Sequence, residues 1–511
     1  MLPRRKGKNM IETLVFEDEI RVYFDRVRTL AANESYVLFV NGREVQKSKK
    51  THFTLKALCP QTEYALAVYL VGAETTLVGE KLVKTRAVPR RLSVLDFGAV
   101  GDGKTLNTKA LQRALDAAGK DDCVYIPEGV FLSGGLFVHS DTYIYIEKGG
   151  VLQGTSDFHD YLPKVKSRFE GIEQMCYQSL LNLGTLDHTA GYNCENVILR
   201  GEGSIIGGGA ALCDGIIAEE MVQMKDYMDS LGESIKECET AWTIPGRARG
   251  RLIQMANCNG ITLSGLYLAN GPSWNIHFIY SKGIVTAGCY IYSSAVHNGD
   301  GWDPDSSEDC VIFDTCFETG DDCIAIKSGK NPEGNVIGRP TKNIRVFDCS
   351  AKSGHSIAIG SEMSGGVENV LIWDCDMKNA AWGIHIKSAE KRGGYIKKVH
   401  VYDTDAAMVR IVGTVGYNND GIAAPTFAHL SDFRFENMTL AGESFFVHWS
   451  TGERIKNDIN PIYVEGLDKE GCEIEGVTFK NIRMPRLSDG SMQKIMIKKA
   501  KNVSLVDISA E

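Results

Sequence analysis

IVTAGCYIYSSAVHNGDGWDPDSS (284–307), VIFDTCFETGDDCIAIKS (311–328), IRVFDCSAKSGHSIAIGS (344–361) and VLIWDCDMKNAAWGIHIKS (370–388) can be laid under one another. ITLSGLYLANGPSWNIHFIYS (261–281) precedes them, and VHVYDTDAAMVRIVG (399–413) follows. Runs that start at 261, 284, 311, 344, 370 and 399 repeat every twenty-odd to low-thirty residues. Each unit holds two or three short alternating runs broken by Gly, Asn, Asp or Ser. A unit of that kind cannot bury its apolar face alone, so its neighbours must stack on it, which is the logic of a solenoid. Strands stacked in register, with Cys and Ile at equivalent positions, predict an all-β chain built as a right-handed parallel β-helix.

The same alignment explains a crowd of carboxylates between 298 and 329. With WDPDS, IAIKS, IAIGS and IHIKS treated as one strand in successive coils, the residues two places before each strand are Asp300, Asp322, His355 and Trp382. Asp321 lies beside Asp322. Neighbouring coils sit about 4.8 Å apart, so side chains one or two coils apart span roughly 5–10 Å, the range in which carboxylate pairs hydrolyse glycosides. Carboxylates that close titrate together, and one keeps its proton to higher pH.

Composition narrows the partners. A net charge of -9 argues against nucleic acid, whose phosphates need a basic footprint. An acidic sugar polymer remains possible, held by a few local cations. No apolar run is long enough to cross a membrane as a helix. The start, MLPRRKGKNM, is basic but lacks an apolar core and a small-residue cleavage site, so a cytoplasmic protein is expected, or a secreted one if the start is trimmed. Oligomeric state is not legible.

Residues 10–88 form a separate unit of short alternating runs, read as a small β-sandwich. LCPQTEYALAVYLV (58–71) resembles the fibronectin type III pattern, with Tyr64 at its tyrosine corner. Residues 92–511 form the β-helix, entered through a helix at 108–120 and interrupted by a helical insertion at about 207–250. Fourteen cysteines suggest a disulfide framework, yet Cys289, Cys316, Cys349 and Cys375 each fall five residues after a run start, a stacked core position where Cys serves as a small hydrophobe. No CxxC pair occurs, which disfavours zinc.

The ordered motifs resemble those of the polygalacturonases, glycoside hydrolase family 28. Asn298-Gly299-Asp300 stands for that family's Asn-Thr-Asp, Asp321-Asp322 for its Asp-Asp, Gly354-His355-Ser356 for its Gly-His-Gly, and His385-Ile386-Lys387 for its Arg-Ile-Lys. DFGAVGDGKTLNTKALQRAL (96–115) matches the entry of pectin-degrading β-helices. The fibronectin-like start, GSEMSGGV (360–367) and the insertion are most similar to the exo-acting bacterial branch. The resemblance implies hydrolysis with inversion and no cofactor or metal, on a pectic (oligo)galacturonide. Asp321 would be the acid, Asp300 and Asp322 would hold and deprotonate the water, and His355 would keep the acid protonated. Lys387, with His385, Asn298, Lys327, Trp382 and Arg249, would contact substrate.

Two departures stand out. Gly299 replaces Thr, which is expected to change little. His385 replaces Arg, losing the bidentate fork for a carboxylate; either His385 acts as imidazolium or another cation substitutes, with Arg247, Arg249 and Arg251 as candidates. That change also opens a rhamnogalacturonan or xylogalacturonan linkage as target. A non-catalytic glycan-binding β-helix is the reading from another class. Asp303, Asp305, Glu308 and Asp309 read first as a solvated acidic loop, with a place lining the cleft open to Asp303 and Asp305; for His277 a wall or core placement and a ligand role weigh equally. Calcium is the rival use of the carboxylates; it wants six to eight oxygens, and the His355 partner disfavours it.

Overall fold

The computed structural model describes residues 11–233, 242–413, 422–448, 451–457, 459–487 and 489–510. The basic start at 1–10, Cys238 and part of the helical insertion lie outside them. The chain divides into a unit ending at Arg90 and one beginning at Arg91.

The first unit has two antiparallel sheets, one of three strands and one of four. Alternation places Ile20, Val22, Phe24, Tyr36, Leu38, Phe53, Leu66 and Val68 in one buried core. The Tyr64 hydroxyl accepts the Cys59 N–H at 3.0 Å.

The second unit is the parallel β-helix. Helix Thr108–Ala117 opens it and buries Ala110, Leu111, Ala114 and Leu115 along one face, against the first coils. An eleven-stranded parallel ladder then carries the sequence-predicted strands in order: Ile276–Ile279, Trp302–Asp305, Ile324–Ile326, Ser356–Ile359, Gly383–Lys387 and Val409–Val412. Trp302 pairs with Ile324, Ile324 with Ile357, and Ile357 with Ile384. These side chains point inward and are fully buried; each contributes roughly 1.5–3 kcal/mol by leaving water.

The coils turn at a repeated corner. Asp314, Asp348, Asp374 and Asp403 each adopt positive φ, between 48° and 56°, a single left-handed residue that Asp tolerates. The preceding residues Phe313, Phe347, Trp373 and Tyr402 stack ring on ring at 4.9, 4.4 and 6.0 Å.

The expected cysteine column is corrected at one rung. Val311 pairs with Val285 and Arg345, so the residue equivalent to Ile284 and Ile344 is Cys310. Thr315 therefore faces Cys349, and its hydroxyl is satisfied by the Phe313 carbonyl at 2.9 Å. Cys316 moves one place on, between Tyr290 and Ser350. All thirteen described cysteines are free thiols, Cys176, Cys194 and Cys213 among them.

Two features decorate the ladder. Helices Gly209–Gln223, Lys225–Leu231 and Thr243–Gly246 form the insertion. An antiparallel hairpin, Val165–Phe169 with Ile172–Cys176, was not foreseen from sequence.

Candidate active site

Alternation along the ladder fixes what faces outward. His277 pairs with Asp303; in later coils Ala325, Ala358, His385, Arg410 and Tyr463 continue the column. The two alanines are the smallest side chains of this floor, and both are buried. Around them stand the residues that precede each strand: Asp300, Asp321, Asp322 and His355.

Tight turns deliver them. A Cβ on Gly299 would meet the Ser293 carbonyl oxygen at 2.5 Å, so the turn before Asp300 admits only glycine. Gly354 holds φ +138 immediately before His355, and a Cβ there would meet Thr319 Oγ1 at 2.4 Å.

The cluster divides by exposure. Asp300 and Asp322 lie deep, with 4% and 5% of their side chains exposed. Lys387 Nζ donates to Asp322 Oδ2 at 3.0 Å, and the Ser356 hydroxyl donates to Asp322 Oδ1. Lys327 Nζ lies 3.5 Å from Asp300, 3.7 Å from Asp303 and 3.1 Å from Glu362, and 4.2 Å from the Trp274 ring centre. Asp321 and His355 are the exposed pair. His355 Nδ1 lies 3.0 Å from Asp321 Oδ1, which also accepts the Asp322 N–H at 2.9 Å. Phe446 flanks the imidazole, ring centres 6.4 Å apart.

Burial and neighbours set the protons. Burial, then Asp303 and Asp321, push the Asp300 carboxyl well above the usual range. Burial lifts Asp303 to about 8 against the pull of Lys327. Neither Asp300 Oδ1 nor either Asp303 oxygen has a donor among the described residues, so a proton shared between the two carboxyls meets the shortfall. Asp321 behaves oppositely: burial would raise it, but His355, Lys387 and Lys327 hold it below the usual range. Burial would lower His355, and Asp321 more than offsets that, so the imidazole is raised above 6.5. In the free site the pair is Asp321 carboxylate with His355 imidazolium, so the proton expected on Asp321 rests on its partner.

The remaining candidates fall as follows. Arg249 is buried beneath the site, donating to Asn298 Oδ1 at 2.7 Å, the His297 carbonyl at 2.8 Å and the Gly246 carbonyl at 2.7 Å. It therefore fixes Asn298 in place. Arg251 is likewise buried, bonded to the carbonyls of Arg168 and Arg249, and Arg247 pairs with Glu170 at 2.8 Å. His385 is 4% exposed. Burial, Lys387 and Arg410 drive its pKa well below 6.5, so it is a neutral imidazole and does not supply the missing cation. Trp382 is half-buried, its ring centre 6.1 Å from that of His385.

The reading of Asp303 and Asp305 as solvated is corrected. Both are 0% exposed, while Glu308 and Asp309 keep partial contact with solvent. The hairpin covers Asp305: Arg168 Nη1 reaches Asp305 Oδ1 at 3.0 Å with both side chains fully buried. Its neighbour Phe169 stacks on Trp274 at 4.8 Å. His277 sits 3.5 Å from the other Asp305 oxygen, held neutral by burial with a pKa of about 4. The sequence reading gave no role to Arg168, Ser356, Glu362 or Arg410, although Ser356 and Glu362 lie within matched motifs. Arg410 also left a signal, by aligning with His385 one coil earlier. Asp321, Asp322 and His355 bring ligand atoms within 4.8 Å of one another, a spacing that a cation also accepts. Lys387 already neutralises Asp322 there.

Residues 144–441 match the profile of glycosyl hydrolases family 28. Residues 92–158 match that of rhamnogalacturonase A/epimerase, pectate lyase-like. A Vitis vinifera protein named probable polygalacturonase is 33% identical over 322 residues, 60% of this chain and 59% of that protein. The chain thus spans less than two thirds of that relative's length. The exo-poly-α-D-galacturonosidase of Dickeya chrysanthemi is 26% identical over 410 residues, 74% of this chain and 67% of that one. Among solved structures, the Yersinia enterocolitica family 28 exopolygalacturonase superposes with a TM-score of 0.80 at 20% identity, over 99% of this chain and 97% of that chain.

Proposed function

The chain belongs to glycosyl hydrolases family 28, and we propose that it is an exo-acting polygalacturonase that cleaves α-1,4-galacturonosyl bonds of oligogalacturonides with inversion. The observation that carries this reading is the division of the cluster into one solvent-reaching carboxyl paired with an imidazole, Asp321 with His355, and a deep set of carboxyls, Asp300, Asp303 and Asp322. Inverting hydrolysis needs one group to protonate the leaving oxygen and another, across the sugar, to activate water.

Asp321 and His355 suit the first task. A sugar settling over them removes the water that now solvates their charges. Losing that solvation favours the neutral pair over the ion pair, so the proton passes from His355 Nδ1 to Asp321 as substrate binds. Asp321 then hands it to the leaving oxygen. Asp322, tied to Lys387 and Ser356, serves as base. Asp300, holding the proton it shares with Asp303, orients the water as a donor. This divides the assignment implied by resemblance, in which Asp300 and Asp322 together hold and deprotonate the water.

The exo reading draws on where two added segments meet. The hairpin and the insertion meet at the Trp274 end: Arg247 bonds Glu170, and Trp242 lies 5.7 Å from His297, ring centre to ring centre. Two added segments gathered at one end of the floor suit attack near a chain terminus. The name of the Dickeya relative agrees with it. The test is a time course on a defined oligogalacturonide series: an exo-enzyme releases one short product from the start and shortens long chains slowly.

A further inference from the structure

Beyond Ala325 and Ala358 the floor column continues with His385 and then Arg410, in direct register on adjacent strands. Neither His385 nitrogen has a hydrogen-bond partner among the described residues, although the side chain is buried. An imidazole is rarely left so, because an unmet buried polar atom costs about 1–3 kcal/mol. Its surroundings are positive: Lys387, Arg410 and the His355 imidazolium all act against its protonation. Arg410 is held in a defined plane, its guanidinium 5.2 Å from the Trp382 ring centre and 5.7 Å from that of Tyr463. Trp382 in turn donates its backbone N–H to the His355 carbonyl at 2.6 Å, which joins this group to the reacting cluster.

A neutral, unpartnered imidazole ringed by cations fits an anionic ligand that also carries hydroxyls. Lys387 Nζ is already engaged by Asp322, so the site's planar fork comes from Arg410. We propose that Arg410 and His385 form a carboxylate subsite next to the reacting bond, with Arg410 gripping the carboxylate of one galacturonate unit and His385 bonding a hydroxyl of the same ring. This rests on the proposed function and names the specificity residue for it. Arg410 supplies, from the next coil, the fork that the His385 position lacks.

The test compares trigalacturonate with its methyl-esterified form in wild type, Arg410→Ala and Arg410→Lys. The free-acid preference in kcat/KM should fall at least tenfold in Arg410→Ala, mostly through KM. Arg410→Lys should recover part of it, since an ammonium keeps the charge but not the fork. Far-ultraviolet dichroism and thermal melts confirm folding, and Arg410→Lys stands in if Arg410→Ala does not fold. An unchanged free-acid preference in both variants overturns the proposal. Should wild type hydrolyse no galacturonide, the functional reading fails, and calorimetric titration with D-galacturonate and D-galactose still decides the subsite. Galacturonate binding lost in Arg410→Ala supports it, and equal binding to both proteins refutes it.

Discussion

His355 Nδ1 lies 3.0 Å from Asp321 Oδ1, and these two side chains keep 29% and 28% of their surface in solvent. Asp300 and Asp322 beside them keep 4% and 5%. A pair open to water is stable as an ion pair, and the same pair under a sugar is not. In the proposed mechanism substrate binding arms the acid, and the free site can hold Asp321 ionised without contradiction.

Replacing Asp321 by Asn should lower kcat by about 10²–10⁴, the usual worth of a general acid. The loss should shrink strongly on α-galacturonosyl fluoride, whose leaving group needs no proton. Asp322→Asn should be equally slow on both substrates, because activation of water is still required. Equal rescue of both variants would remove the division of roles.

His355→Gln removes the group that stores the proton. The pair's proton is held above the ordinary imidazole value in wild type, since Asp321 raises His355. The alkaline limb of the kcat/KM profile should therefore lie above pH 6.5 in wild type and move to lower pH in the variant. A limb that stays put would assign the proton elsewhere.

Much of this site was legible because the apolar column repeats with one fixed offset. Trp302, Ile324, Ile357 and Ile384 each sit two places after Asp300, Asp322, His355 and Trp382, so aligning the inward residues aligned the site as well. Cys316 was misplaced because its coil begins on Cys310, which reads as the end of an acidic turn. Asp305 was misread for a different reason. Its local sequence is polar, and the arginine that buries with it is 137 residues away on a hairpin. Arg410 follows His385 when VRIVG is laid under IHIKS, but the rings that flank its guanidinium come from different coils and are not legible in the repeat.

The Arg168–Asp305 pair should be costly to break. Arg168→Met leaves Asp305 buried without its cation, which should cost about 3–5 kcal/mol in urea unfolding. A loss below 1 kcal/mol would mean that His277 and the Gly329 N–H, 3.1 Å from Asp305, hold the carboxylate alone.

Asp303 makes stability depend on pH. Its folded pKa of about 8 lies above the unfolded value near 4. The folded chain keeps a proton that the unfolded chain has lost, so this contribution is full below about pH 4 and disappears as pH rises through 8. Between those limits stability falls by about 1.4 kcal/mol per pH unit for a fully held proton. Asp303→Asn lacks that slope. Its melting temperature relative to wild type should rise steadily from pH 5 to pH 8, and a flat difference would contradict the buried proton.

The most direct measurement is proton NMR of the first turnovers of trigalacturonate with EDTA present. The account predicts saturated product whose new reducing end appears first as the β-anomer and then mutarotates, with one short product from the outset. An α-anomer appearing first, or an unsaturated product absorbing in the ultraviolet, would contradict inverting hydrolysis by Asp321 and Asp322.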